Sequence, residues 1–223
     1  MTHNLAALRP LTAAALVRAH VAVRGSDVPA APGITWIWAA NGLYKRGVSA
    51  THDLCIAVAP APLVAGLPLD PWQPHVRWPG LPSIIPGGLL DPLLAHARRQ
   101  QQFIGGERRA IEQQYFIAYD AALPATPYRL LLPGQEATAG RVRYLRPPGR
   151  LLIDIHSHHG MPAFFSATDD ADDTGLSISV VIGTLFTAPT ICCRLNVYGH
   201  HQPIAAHALF THLGSFREVR CNH

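Results

Sequence analysis

The chain has 223 residues, of which 48% are hydrophobic and only 14% carry a formal charge. This apolar content is enough for a packed core and excludes global disorder. The length fits one ordinary domain, or a compact domain with a smaller companion. The formal net charge of +4 is modest and the basic residues are scattered, which argues against a surface that binds nucleic acid directly.

The cysteines and the apolar segments predict a cytoplasmic protein with no membrane partner. Four cysteines form neither a Cys-x-x-Cys pair nor a small disulfide framework: Cys55, Cys192, Cys193 and Cys221. This usage is typical of the reducing cytoplasm. Basic residues interrupt the alanine-rich start, so we predict no signal peptide. The uncharged residues 176–193 approach the length of a membrane span, but Gly183 and Pro189 favour two buried strands joined by a turn.

The first 87 residues are predicted to form a β-rich amino-terminal domain. Aromatic and β-branched residues flank Asn41-Gly42 between residues 34 and 48, which is a strong hairpin signal. A further apolar strand is predicted at residues 54–59. Residues 60–92 contain nine prolines, too many for regular structure, and predict an irregular connector that leads into the second domain.

Residues 88–223 combine a helix with a series of strands, which is an α+β pattern. Asp91 and Pro92 predict a helix that runs to Gln102, with Asp91 as its N-cap and Pro92 in its first position. The strands predicted after this helix are residues 111–119, 128–132, 141–145, 151–156, 176–186 and 190–198. Residues 203–213 fit a helix or a strand equally well.

A candidate metal site follows the strand at residues 151–156. This strand ends in His156-Ser157-His158, and the alternation of side chains along a strand places both imidazoles on one face. Asp169, eleven residues further on, is a candidate third ligand. Two histidines and one carboxylate leave a position for water, which is typical of a catalytic zinc site. Ser166 adds a hydroxyl beside the same centre.

The same residues also have a purely structural interpretation. The two histidines then simply end a strand, and the acidic segment around Asp169 caps a helix. Asp154 shares the face of His156 by alternation and is either a neighbour of the site or a solvent-facing residue. We do not include Asp154 in the predicted site.

The spacing of these residues resembles a known motif. His156, Ser157, His158, Ser166 and Asp169 stand as His-Ser-His, seven residues, Ser, two residues, Asp, which is similar to the signature of the JAMM (MPN+, Mov34/JAB) metalloproteases. Even with the position of Ser157 left open, the frequencies of His, Ser and Asp in this chain give roughly one chance match in a thousand chains. The resemblance implies a JAB/MPN-like domain with cytidine-deaminase-like layering. It also implies one Zn²⁺ per chain, held by His156, His158 and Asp169, with Ser166 as a donor to the oxyanion.

The family also uses a glutamate, on a strand that follows the first helix of its domain. The four glutamates of this chain are Glu107, Glu112, Glu136 and Glu218. Glu218 follows the metal motif, Glu136 lies in a predicted turn and Glu107 in a predicted loop. Glu112 opens an apolar strand directly after the helix, so the resemblance assigns it the role of catalytic proton carrier.

Two positions depart from the pattern of the family. His159 stands where proline usually follows the second histidine, which alters the loop beside the site. Tyr115 stands where a glycine often follows the catalytic glutamate by three residues. Neither departure removes a predicted ligand.

Within this family the chain is most similar to the A proteins of the PRTRC plasmid systems. Those proteins join a JAB domain with a Phe-Phe-Ser version of the motif to an upstream β-rich region. The likeness implies cleavage of the tail of a ubiquitin-like protein, or of an isopeptide bond to it, by a zinc-dependent isopeptidase. It also implies E1-like and E2-like partner proteins.

Two alternatives compete with this interpretation. Asp-x-His-x-His also begins the large barrel of the amidohydrolases, but the residues that remain after His156 are too few for such a barrel. The other alternative is a JAB-fold scaffold that binds partner proteins and has lost catalysis. Retention of His156, His158 and Asp169 favours the enzyme, because silent members usually lack a ligand.

Overall fold

Two β-sheets dominate the part of the chain that the computed structural model describes, which comprises residues 17–23, 25, 27–59, 68–104, 107–138 and 141–221. The elements in chain order are β1 (Val17–Val21), β2 (Gly33–Ala39), β3 (Gly42–Val48), β4 (Asp53–Ala59), β5 (His75–Arg77), α1 (Leu90–Arg99), β6 (Gln101–Ile104), β7 (Glu107–Ala110), β8 (Gln114–Tyr119), β9 (Tyr128–Leu131), β10 (Gln135–Thr138), β11 (Arg141–Tyr144), β12 (Arg150–Ser157), α2 (Ala167–Asp172), β13 (Leu176–Gly183), β14 (Thr190–Val197), β15 (His201–Ile204) and β16 (Arg217–Glu218). This content confirms the predicted α+β fold with a β-rich amino-terminal region.

The amino-terminal sheet has five strands in the order β1-β2-β3-β4-β5. The predicted hairpin is confirmed: β2 and β3 pair antiparallel around Asn41-Gly42, with Trp38 opposite Leu43. Gly42 has φ 149, a backbone conformation that glycine adopts more easily than other residues. Strand β4, predicted at residues 54–59, is also present.

The second sheet has seven strands, with the path β15-β14-β13-β12-β8-β9 and with β16 also paired to β14. Strand β12 runs parallel to β13 and antiparallel to β8, so it lies at the centre. The uncharged segment at residues 176–193 forms β13 and the start of β14, which pair antiparallel as predicted. None of the helices in the described residues is long and apolar enough to cross a membrane.

Side-chain alternation gives the second sheet one apolar face. Ile153 and Ile155 of β12 are buried on this face, together with Val180 of β13 and Leu195 of β14. Helix α1 covers the face with four buried residues: Leu90, Leu93, Leu94 and Ala97. The spacing of these four residues forms the apolar stripe expected of a helix packed on a sheet.

The same core extends into the amino-terminal sheet. Leu54 and Ile56 of β4 belong to the core cluster that contains Ile153, and Trp78 after β5 joins it. All three are at most 1% exposed. The division of the chain into domains at residues 1–87 and 88–223 stays a prediction, and in the folded chain both parts contribute to one hydrophobic core.

Several local predictions need correction. Helix α1 begins at Leu90, after a 3-10 turn, so Asp91 lies inside the first turn and does not cap the helix with its side chain. The Asp91 carboxylate instead accepts a hydrogen bond from the backbone N–H of Ser215 (3.3 Å). Glu107 lies in β7 and Glu136 in β10, each within a two-stranded hairpin, where a loop and a turn were predicted. The ambiguous segment after residue 203 contains the end of β15 and a 3-10 turn.

Candidate metal centre

The candidate site lies on the polar face of the seven-stranded sheet. Asp154 and His156 of β12 lie opposite Phe116 and Gln114 of β8, on the face that points away from Ile153 and Ile155. Strand β12 ends at Ser157, whose backbone N–H donates to the Gln113 carbonyl (3.1 Å). His158 follows directly, so both histidines reach the same edge of the sheet.

Three potential ligand atoms converge at this edge. The Nε2 atoms of His156 and His158 are 3.2 Å apart, and His156 Nε2 is 3.4 Å from Asp169 Oδ1. In the described part of the chain this is the one cluster of three or more metal-ligating side chains, and its ligand atoms all lie within 4.8 Å of one another. Ligand atoms of a tetrahedral zinc are roughly 3.3 to 3.5 Å apart, given bond lengths of about 2.0 to 2.2 Å. The donor set therefore fits a zinc ion in both chemistry and spacing.

The electrostatics of the site keep both imidazoles available as ligands. Burial lowers the pKa of His156 to about 4, despite the opposing effect of the Asp169 charge. Burial also lowers the pKa of His158. Both rings are therefore neutral at neutral pH, which is the form of histidine that binds a metal ion.

Asp169 reaches the site because Ser166 starts a helix in front of it. The Ser166 hydroxyl accepts the backbone N–H of Asp169 (3.3 Å), and the Ser166 backbone N–H donates to Asp169 Oδ2 (2.6 Å), which forms a capping box for α2. The hydroxyl also donates to Oδ2 (2.7 Å). Burial alone would raise the pKa of Asp169, but His156 and these hydrogen bonds hold it below its ordinary value. Oδ2 is thus engaged with Ser166, and Oδ1 lies towards His156.

Glu112 lies in the same cavity as the three potential ligands. It was predicted to open a strand at residues 111–119, but β8 begins three residues later, at Gln114, so Glu112 lies just before the strand. The cavity has a volume of about 590 Å³, and its lining includes Glu112, His156, His158, Ser166 and Asp169. Burial and the charge of Asp169 raise the pKa of Glu112 above its ordinary value. The structure therefore brings all five predicted site residues together, while their assignment as ligands and catalytic groups stays a prediction.

Sequence reasoning missed the group that anchors α2. The Arg194 guanidinium is fully buried, pairs with Asp170 inside α2 and with Asp173 directly after it, and lies 4.0 Å from the centre of the Phe165 ring. Asp173 Oδ2 also accepts a hydrogen bond from Ser179 (2.8 Å). These contacts fix the short helix that carries Asp169 against the sheet. The available signal was that Arg194 is the one charged residue in the apolar strand β14.

Asp154, which the sequence analysis left outside the site, lines the cavity. Its carboxylate accepts a hydrogen bond from the Gln114 amide. Burial and the nearby charge of Asp173 raise the pKa of Asp154 to about 7. The alternation with His156 was the signal for this placement.

The backbone conformation at position 159 accounts for a histidine where the family usually has proline. Its φ of 43 lies in the left-handed region, whereas the ring of proline fixes φ near −65°. The His159 carbonyl accepts a hydrogen bond from the backbone N–H of Leu185 (2.7 Å), which ties the turn to the segment after β13. The loop beside the site therefore has a backbone that proline cannot adopt.

Comparison with known proteins identifies the segment that holds this centre. Residues 91–196 match the model of a family described as prokaryotic homologues of the JAB domain. The matched segment runs from α1 to the end of β14, and it includes all five predicted site residues. A search of curated proteins finds no match for the chain.

Proposed function

Residues 91–196 give this chain a domain of the JAB/MPN family, and from that premise we propose that it is a zinc-dependent peptidase or isopeptidase. The observation that carries the proposal is the convergence of His156, His158 and Asp169 with Glu112 in one cavity. His156, His158 and Asp169 would hold the zinc. Bound there, the ion would act as a Lewis acid that lowers the pKa of water from 15.7 towards about 7.

Glu112 is suited to carry the proton in such a reaction. Burial and the charge of Asp169 raise its pKa, which makes the carboxylate a better proton acceptor than an exposed glutamate. We expect it to take a proton from the attacking water and to pass it to the leaving amine. Such general acid–base work contributes typically about 10²- to 10⁴-fold to a rate.

Ser166 has two tasks that compete for one hydroxyl. In the structure its hydroxyl donates to Asp169 Oδ2 (2.7 Å). To donate to the oxyanion of a tetrahedral intermediate, the hydroxyl has to rotate away from that carboxylate. The backbone N–H of Ser166 keeps its own hydrogen bond to Oδ2 (2.6 Å), so Asp169 stays oriented during that rotation.

The proposed substrate is the tail of a ubiquitin-like protein or a conjugate of it. The family resemblance supplies this class, and the likeness to the PRTRC A proteins adds E1-like and E2-like partners. The cavity is compatible with an extended tail, since apolar side chains lie beside the polar centre: Val142, Tyr144, Met161 and Phe164. Tyr144 and Met161 are 38% and 46% exposed, so both are open to contact with a substrate.

A second candidate function is a silent scaffold that binds partner proteins. One observation favours it: the capping box explains the spacing of Ser166 and Asp169 without any metal ion. The close approach of the two Nε2 atoms at 3.2 Å has no such explanation beyond a single hydrogen bond between the rings. We therefore place the enzyme first.

The deciding experiment measures zinc and cleavage on the same purified protein. We expect about one zinc per chain, and loss of that zinc in His156→Ala but not in His207→Ala, which changes an exposed histidine outside the cavity. Glu112→Gln should keep the zinc and lose about 10²- to 10⁴-fold in cleavage of a ubiquitin-like fusion. The matched control Glu136→Gln changes an exposed glutamate outside the cavity and should keep full activity.

The outcomes separate the two functions. A wild-type protein that binds no zinc contradicts the catalytic proposal. Full activity of Glu112→Gln shows that another group carries the proton. A protein that binds zinc and cleaves neither a linear fusion nor an isopeptide conjugate supports the scaffold.

A further inference from the structure

Strand β12 contains one extra residue immediately before the site. Leu151 lies opposite Ala118 of β8, but Ile153 lies opposite Ile117, so two steps along β12 match one step along β8. Leu152 is therefore the inserted residue of a β-bulge. The ladder between β12 and β13 begins only at Asp154, so Leu152 has no register partner on either side.

This bulge decides which face of the sheet receives the metal ligands. Without it, the register of Leu151 with Ala118 would continue, and His156 would lie opposite Gln113 instead of Gln114. Asp154 would then lie opposite Tyr115, which belongs to the hydrophobic core. A shift of one residue turns every side chain to the other face of a strand. The site face therefore exists only while the bulge holds.

A histidine from the amino-terminal sheet binds the carbonyl of the bulged residue. His52 Nε2 lies 2.8 Å from the Leu152 carbonyl oxygen, which can only accept, so this nitrogen carries the proton and donates. His52 Nδ1 then accepts from the Thr51 hydroxyl (2.8 Å). His52 is 4% exposed and Leu152 is 1% exposed, so no water replaces this hydrogen bond.

The position of His52 is fixed on its own side as well. It lies in the turn between β3 and β4, where Ser49 accepts its backbone N–H (3.0 Å). Leu54 and Ile56, which follow it on β4, pack in the same core as Ile153 and Ile155. The donor therefore lies in a turn that is held by its own hydrogen bond and by the packing of the adjoining strand β4.

We propose that His52 is a positioning residue of the metal centre. By holding the carbonyl of Leu152, it keeps the bulge that turns His156 and Asp154 to the site face. The amino-terminal region then contributes directly to the geometry of the metal site. This inference rests on the proposed function, because it assumes that His156 binds zinc.

The test compares zinc affinity among full-length variants by competition with a chelator of known affinity. His52→Gln keeps an amide donor close to the position of Nε2, whereas His52→Ala leaves the buried Leu152 carbonyl without a donor. We expect wild-type affinity for His52→Gln and a loss of about tenfold or more for His52→Ala, as for other residues that orient metal ligands. His75→Ala is the matched control, because it removes a partly buried histidine of the same sheet that binds Asp53 (3.2 Å) and not the Leu152 carbonyl.

The outcomes identify which idea fails. A wild-type protein without zinc affinity overturns both the proposed function and this inference. Zinc binding by the wild type with equal affinity in a folded His52→Ala overturns this inference alone. A tenfold loss in His75→Ala also overturns it, because general loosening of the sheet would then be the cause. If His52→Ala does not fold, His52→Asn takes its place: its shorter side chain stops short of the carbonyl, and an unchanged affinity contradicts the proposal.

Discussion

The two faces of the seven-stranded sheet follow opposite physical rules. On the core face, alternate residues of β12 and β14 are apolar and fully packed, as Ile155 and Leu195 show. On the site face, their neighbours are polar: His156 is largely buried and Arg194 fully buried, and each is stabilised by a specific partner. Packing on the core face depends on side-chain volume, so apolar residues of similar volume can replace one another there. The site face depends on individual hydrogen bonds and charges.

This difference shows how one strand can serve stability and chemistry at the same time. A buried apolar residue needs only neighbours of suitable shape, but a buried charge needs a partner in a defined position. Substitutions on the two faces should therefore differ in what they disturb, even where they destabilise the fold equally.

The largest expected effect comes from substitutions of two adjacent residues of β14 that point to opposite faces of the sheet. Arg194→Met removes the buried partner of Asp170 and Asp173 and should lower the free energy of unfolding by about 3 kcal/mol. Leu195→Ala opens a cavity on the core face and should cost about the same. Only Arg194→Met should also weaken zinc binding, by about tenfold, because it releases the helix that carries Asp169. Denaturant unfolding and chelator competition measure the two quantities.

Equal zinc affinity in both variants would contradict the role of Arg194 as an anchor. A zinc defect in Leu195→Ala as large as that in Arg194→Met would show that the two faces are not independent. The comparison is matched in position, because both residues lie in β14, are at most 1% exposed and point to opposite faces of the sheet.

The second prediction concerns the pH dependence of stability. Apolar residues of the core face do not titrate, so this dependence comes from polar groups such as those near the site. Burial, followed by the charge of His158, lowers the pKa of His159 from its ordinary 6.5 to about 4. The unfolded chain therefore takes up this proton near pH 6.5, while the folded chain resists it until about pH 4. Stability is complete above pH 6.5 and falls as the pH decreases, by about 2 kcal/mol for this group at pH 5. The pKa values of His52, His156 and His158 are also lowered and add in the same direction.

Denaturant unfolding at pH 7.5 and pH 5, in the presence of a chelator that removes any bound metal, checks this prediction. His159→Asn removes the titrating ring, and asparagine tolerates the left-handed backbone at this position. The variant should lose about 2 kcal/mol less than the wild type over this interval. An identical loss in both proteins would mean that His159 takes up its proton freely in the folded state.

The sequence predicted the parts of this comparison that local patterns encode. Alternation along residues 151–156 identified the strand that presents His156, and the fixed spacing to Asp169 identified a second segment of the same centre. Both signals lie within a single short stretch of chain. The resemblance to the JAB/MPN family is confirmed by the match over residues 91–196, whereas the closer likeness to the PRTRC A proteins stays a prediction.

Contacts between distant segments were beyond the reach of the same reasoning. The bulge at Leu152 has no local signature, because it exists only relative to the register of β8. His52 lies 100 residues away from the carbonyl it binds. Arg194 could be suspected from its single charge, but its partners on α2 depend on how the sheet places that helix. Glu112 was found by its order along the chain, although β8 begins after it.

The smallest effect that we predict tests the close approach between β13 and the metal loop. A Cβ added to Gly183 would lie within 3.0 Å of backbone atoms of Met161, Pro162 and Ala163, between the predicted ligands His158 and Asp169. Because backbone cannot move aside as a side chain can, Gly183→Ala should destabilise the fold by about 1 to 2 kcal/mol. It should also displace the loop and weaken zinc binding.

Gly175→Ala is the matched control just before β13, since nothing lies within 4 Å of its added Cβ. Thermal unfolding with and without zinc measures both effects. A Gly183→Ala protein whose stability and zinc response equal those of Gly175→Ala would show that this approach does not fix the loop, and that the capping box and Arg194 alone hold Asp169.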